Sequence, residues 1–192
     1  MSDPPKVRLF AGIELPADVR TAIEVATAPL RTRIPGFRWV PPENLHLTLV
    51  FLGWVVAGDV DPIRAAIETS VAPAAPFTAR LGPAGRFPDR GKVRVLWVGF
   101  DGGVESLADL ADRTRAPVAD RVTEDRPFRP HITVARARQP VRLTSDAFDA
   151  VPSLERDVAV GDVTLFRSYL GSPHPRYEPI AHLGLQGGSA AG

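Results

Sequence analysis

The chain has 192 residues, of which 44% are hydrophobic and 23% charged, with a formal net charge of +1 and no cysteine. That length supports one domain or two tightly joined lobes around an ample core. The composition excludes disulfides and thiolate metal sites, and any basic surface for nucleic acid has to be local.

The opening residues, Met1 to Lys6, lack the apolar centre of a signal peptide. No apolar run approaches the roughly 18 residues that would cross a bilayer. Val7–Leu15 reads as a strand. Pro16-Ala17-Asp18 then opens a helix to about Leu30, with Val19, Ala22, Ile23, Ala26 and Leu30 at helical spacing. Arg31, Arg33 and Arg38 form a small basic run, which either touches RNA phosphates or is solvated loop. Phe37–Val40 is a short strand, followed by the turn Pro41-Pro42-Glu43-Asn44. The apolar run Leu45–Gly53 is the next strand.

Asp61-Pro62 predicts a helix start, with Asp61 as N-cap and a buried stripe of Ile63, Ala66, Ile67 and Val71. Phe77–Leu81 and Val93–Phe100 read as strands joined by a Gly/Pro-rich loop, Gly82–Gly91. Val104, Leu107, Leu110 and Ala111 mark a third helix, which Pro117 ends or kinks. Ile132–Ala135 is a strand introduced by Pro127 and Pro130. Asp157–Leu170 and Tyr177–Leu185 follow as two more, and residues 188–192 are expected to be a flexible tail.

One pattern occurs twice: His46-Leu47-Thr48-Leu49 and His131-Ile132-Thr133-Val134. In a strand, residues i and i+2 share a face. Each copy therefore presents an imidazole and a hydroxyl on one side and two apolar residues on the other. The duplication extends further. From Val7 to His46 is 39 positions and from Val93 to His131 is 38, with a helical stretch inside each interval. A strand–helix–strand unit used twice predicts a single domain over residues 1–187, with an internal repeat at about 7–72 and 93–185. A pseudo-two-fold axis would bring both His-Thr faces to one cleft.

Several longer stretches accompany the two motifs. They are Arg8-Leu9-Phe10, Phe37 to Leu49, Phe51-Leu52-Gly53, Arg86-Phe87-Pro88, Val95-Leu96-Trp97 and Arg126 to Arg136. Together they resemble the 2H phosphoesterase superfamily, and more narrowly the bacterial RNA 2′,3′-cyclic phosphodiesterases, also known as 2′-5′ RNA ligases. The likeness runs from about Arg8 to Leu185. It implies an α+β, bilobal, LigT-like fold: two pseudo-symmetric antiparallel sheets with helices on their outer faces and a cleft between. It implies no metal and no cofactor, and hydrolysis of an RNA terminal 2′,3′-cyclic phosphate to a 2′-phosphate. The partner implied is an RNA 3′ end, tRNA fragments among the candidates, met by a cytoplasmic monomer with no membrane contact. The family pattern makes His46 the proton donor and His131 the proton acceptor.

The residues support such chemistry by themselves. Hydrolysis of a cyclic phosphodiester needs a water deprotonated and a leaving ribose oxygen protonated, and imidazoles titrate near neutral pH. Thr48 and Thr133 can donate to the phosphoryl oxygens where charge develops. Phe51 and Phe128 can stack a base. By strand parity, however, Phe51 falls on the apolar face with Leu47 and Leu49, which predicts core packing. Arg136 matches the family's terminal Arg as a phosphate contact. It too falls opposite His131 unless a bulge intervenes. His174 and His182 have no ligand cluster around them in the sequence and are read as surface or structural residues.

Two other functions fit the same residues. One is reversible 2′-5′ RNA ligation, or cleavage of a small cyclic nucleotide, at the same two histidines. The other is a non-catalytic RNA-binding module, which would not require two intact titrating copies.

Overall fold

The computed structural model describes residues 3–122, 127–144, 151, 154–172 and 174–187. Arg126 and the expected tail at 188–192 lie outside the described residues. The strands are β1 (Lys6–Glu14), β2 (Phe37–Trp39), β3 (His46–Val56), β4 (Phe77–Phe87), β5 (Val93–Gly102), β6 (His131–Val141), β7 (Asp157–Val160), β8 (Asp162–Tyr169) and β9 (Arg176–Gly184). The helices are α1 (Ala17–Arg33), α2 (Val60–Val71) and α3 (Val104–Arg115). Among the described residues no helix is long and apolar enough to cross a membrane.

Among the described residues nine strands pair antiparallel in the order β7-β4-β5-β6-β3-β1-β8-β9, with β2 on β6. The fold is α+β with two sheet halves. One is β3-β1-β8-β9 and the other is β6-β5-β4-β7. Among the described residues they pair with each other at Leu47 opposite Ile132. That pair lies at the middle of both His-Thr motifs and relates them as an antiparallel two-fold would. The sheet halves do not coincide with the chain halves 7–72 and 93–185. β8 and β9 come from the second chain half yet extend the first sheet half through β1. The segment Asp157–Leu170, expected as one strand, divides at Gly161: β7 pairs with β4, and β8 with β1.

The alternation of each strand assigns its faces. Leu9, Ala11 and Ile13 of β1 point into the core, as do Leu96 and Val98 of β5. This face is covered by the stripes of the helices: Val19, Ile23, Ala26 and Leu30 from α1, Ile63, Ile67 and Val71 from α2, Leu107, Leu110 and Ala111 from α3. All of them belong to one continuous core. α2 starts at Val60 rather than after Asp61. A short 3₁₀ turn, Ala57–Asp59, runs straight into it, and Asp59 accepts a hydrogen bond from Arg121 at 3.0 Å instead of capping the helix.

The segment Gly82–Phe87, expected as part of a loop, is strand. Here glycine marks close approach rather than a turn. A Cβ on Gly85 would overlap the indole of its cross-strand partner Trp97.

Candidate active site

The two motif strands share a distortion that decides what faces the cleft. In β3, Ala11 pairs with Val50 but Gly12 pairs with Thr48, so Leu49 is an inserted residue. In β6, Leu96 pairs with Ala135 but Trp97 pairs with Thr133, so Val134 is inserted. Each is a β-bulge, and each leaves two consecutive residues buried in the core: Leu49 and Val50, Val134 and Ala135. Beyond the bulge the parity is reversed.

The residue five past each histidine therefore joins the imidazole face. Phe51 lies opposite Phe10, with ring centroids 6.0 Å apart, and is 41% exposed. Arg136 donates from Nη2 to Thr133 Oγ1 at 3.4 Å. The parity expectation of core packing for Phe51 is thus corrected, and the bulge that Arg136 required is present. Phe128 packs against the core instead.

Both imidazoles are held in the same way. His46 Nδ1 lies 2.7 Å from the Asn44 carbonyl oxygen, and His131 Nδ1 lies 2.7 Å from the Arg129 carbonyl oxygen. A carbonyl only accepts, so each Nδ1 carries the hydrogen and the basic nitrogen of each neutral ring is Nε2. His46 Nε2 is 3.0 Å from Thr48 Oγ1, whose hydroxyl donates to it when the ring is neutral. Extending the Leu47–Ile132 register by one residue sets His46 opposite Thr133 and Thr48 opposite His131.

The floors beneath the rings are aromatic and complementary. Under His46 lie Phe10 at 4.7 Å and Phe166 at 6.0 Å, with Tyr177 edge-on at 5.1 Å. Under His131 lie Phe87 at 5.0 Å and Trp97 at 6.4 Å. Where one half places Gly12 beside its threonine, the other places Trp97.

Burial lowers the pKa of His46 from 6.5 to about 4, and the charges of Arg136 and His131 push the same way, against the Asn44 hydrogen bond. In the free protein His46 is therefore neutral at pH 7. The unfolded chain takes up this proton near 6.5 and the folded chain does not, so His46 makes stability fall as pH drops from 6.5 towards 4. Burial also raises the pKa of Tyr177, with Arg136 and Arg8 opposing.

Beside His46 a cavity of about 200 Å³ is lined by Arg38, Asn44, Arg136, Arg138, His174 and Tyr177, among others. His174 thus stands at the edge of the site, while His182 forms a surface pair with Asp162 at 3.5 Å. Of the basic run, Arg31 pairs with Glu24 and lies over Trp39, whereas Arg38 reaches the cavity. Among the described residues no three His, Asp or Glu side chains gather to hold an ion. Tyr177, Phe10 and the two orienting carbonyls escaped the sequence reading. A usable signal was present only for the carbonyls, because Asn44 and Arg129 both stand two residues before a motif histidine.

A sequence model of the family described as the 2′-5′ RNA ligase superfamily matches residues 17–171. An RNA 2′,3′-cyclic phosphodiesterase of Escherichia coli K12 is 34% identical over 96% of this chain and 99% of its own. A protein of the same name from Geobacillus stearothermophilus is 30% identical over 93% of this chain, which spans 57% of that relative's length. The crystal structure of TT0787 of Thermus thermophilus superposes with a TM-score of 0.78 at 34% identity, covering 94% of this chain and 98% of that one.

Proposed function

The chain belongs to the 2′-5′ RNA ligase superfamily, and on that premise we propose that it hydrolyses a terminal 2′,3′-cyclic phosphate on RNA to a 2′-phosphomonoester. The observation that carries the proposal is the matched pair of imidazoles, each with Nδ1 fixed by the carbonyl two residues back, on two strands joined at Leu47 and Ile132.

In this mechanism the cyclic phosphorus lies between the two Nε2 atoms. His131 takes a proton from the attacking water as the new P–O bond forms. His46 gives a proton to O3′ as the P–O3′ bond breaks, leaving the phosphate on O2′. Thr48, Thr133 and Arg136 hold the non-bridging oxygens as their charge grows. Phe51 offers its exposed ring to the terminal base. Since burial keeps the free His46 neutral, the negative charge of the bound phosphodiester is what lets it carry its proton. One chain supplies both imidazoles, so residues 1–187 suffice as a single unit and a monomer is competent. RNA ends produced by cleavage, tRNA fragments included, are the substrates.

The deciding assay is incubation with an oligonucleotide ending in a 2′,3′-cyclic phosphate, in excess EDTA. The expected product is the 2′-phosphomonoester, at the rate seen without chelator. A 3′-phosphate product, or activity restored only by one added metal ion, overturns the mechanism.

The pH profile gives a separate test. Wild-type stability should fall as pH drops from 6.5 towards 4, because the unfolded chain protonates His46 there and the folded chain does not. His46→Ala should flatten that dependence in denaturant unfolding, and a variant that keeps it would show that another group is responsible.

A further inference from the structure

The cavity next to His46 has a composition that a cyclic phosphate alone does not require. Among the described residues its lining carries three arginines and a histidine, Arg38, Arg136, Arg138 and His174, and no carboxylate. Two of these arginines are a cross-strand pair: Arg38 of β2 lies directly opposite Arg136 of β6. As cross-strand neighbours, the two guanidinium groups stand close enough to contact one phosphate together. Arg136 also faces Thr133 and the histidines, as its hydrogen bond and its charge effect on His46 indicate. The cavity is therefore continuous with the reaction site, and Asn44 and Tyr177 form part of both.

Building on the reaction proposed above, we infer that this groove is a subsite for the phosphodiester on the 5′ side of the terminal nucleoside. The covalent chemistry of RNA requires such a neighbour. With the cyclic phosphate on O2′ and O3′, the terminal nucleoside is linked to the rest of the chain only through its 5′ oxygen. The phosphate on that oxygen is the next negative charge along the strand. Guanidinium groups bind it as charge-assisted donors. The groove makes the enzyme selective for RNA ends over free cyclic mononucleotides, which lack this charge.

The test compares two substrates on the whole protein: a nucleoside 2′,3′-cyclic phosphate with a free 5′-hydroxyl, and a dinucleotide ending in the same cyclic phosphate. Wild type should show the higher kcat/KM on the dinucleotide. Arg38→Ala and Arg138→Ala should each lower kcat/KM on the dinucleotide about tenfold, with a smaller loss on the nucleoside. The dependence of log kcat/KM on log salt concentration should flatten by about 0.7 for each lost phosphate contact on the dinucleotide. Arg138→Lys should recover part of the preference. Activity on the nucleoside substrate reports that each variant is folded, and if Arg38→Ala fails to fold, Arg138→Ala carries the test.

Equal wild-type rates on the two substrates overturn the subsite, as do equal losses on both substrates in the variants. In both of those outcomes cleavage of the nucleoside substrate leaves the proposed reaction standing. Failure of the wild type to cleave either substrate overturns the reaction and the subsite together.

Discussion

Replacing either motif histidine by alanine should lower kcat/KM on an RNA 2′,3′-cyclic phosphate by about 10²–10⁴-fold, the usual worth of one general acid or base. His46→Ala removes the ring that lies against Phe10 and Tyr177. His131→Ala removes the one that lies against Phe87 and Trp97. The two losses should not multiply, because both groups act in one displacement. The double variant should be only modestly slower than the worse single one.

An activated substrate separates the roles. A phosphodiester substrate whose leaving oxygen departs as a stable anion needs no acid, so His46→Ala should recover most of its rate on it. His131→Ala should stay slow, since water still has to lose a proton. Rescue of His131→Ala instead would exchange the two roles. A single-alanine variant within a fewfold of wild type on RNA would remove that histidine from the mechanism.

The largest structural effect is expected at Gly12. Its cross-strand partner is Thr48, and a Cβ added there would overlap the backbone carbonyl oxygen of Leu47. A side chain can rotate away from such a clash, but a strand backbone cannot without opening the β1–β3 ladder beside His46. Gly12→Ala should therefore cost about 3 kcal/mol or more, at or beyond the upper end of ordinary overpacking. Thermal unfolding should show it as a fall of several degrees or more in Tm, together with lost activity through displaced Thr48. Gly58→Ala is the matched control, because nothing lies within 4 Å of a Cβ there, and it should leave Tm nearly unchanged. A Gly12→Ala protein as stable as that control would show that the ladder gives way easily.

The local record in the chain was sufficient for the parts of the site that depend on short range. His46 and Thr48 share a face because they are two residues apart in one strand, and the same holds for His131 and Thr133. The duplication and the helix stripes follow from periodicity and spacing along the chain, while the antiparallel α+β fold was implied by the family resemblance of the motifs. What failed was parity carried past position 49 or 134. Whether a strand bulges depends on the register of its neighbour, here β1 and β5, and that is a property of the pair rather than of the strand. Phe51 and Arg136 therefore changed faces in a way their own sequence does not encode.

The boundary between the halves shows the same division. The sequence by itself determined that two copies of an imidazole–hydroxyl strand exist, since alternation and spacing are local and survive any tertiary arrangement. Tertiary structure alone decided that β8 and β9 complete the first sheet half through β1. It also decided that Arg38 meets Arg136 across β2 and β6, and that His174 and Tyr177 close a cavity beside His46. The physical reason is that antiparallel pairing is set by which edges remain free once the core has formed. Contacts between segments more than a hundred residues apart, such as the 2.7 Å hydrogen bond from Asn44 to the Pro175 carbonyl, leave no period or spacing in the chain from which to read them.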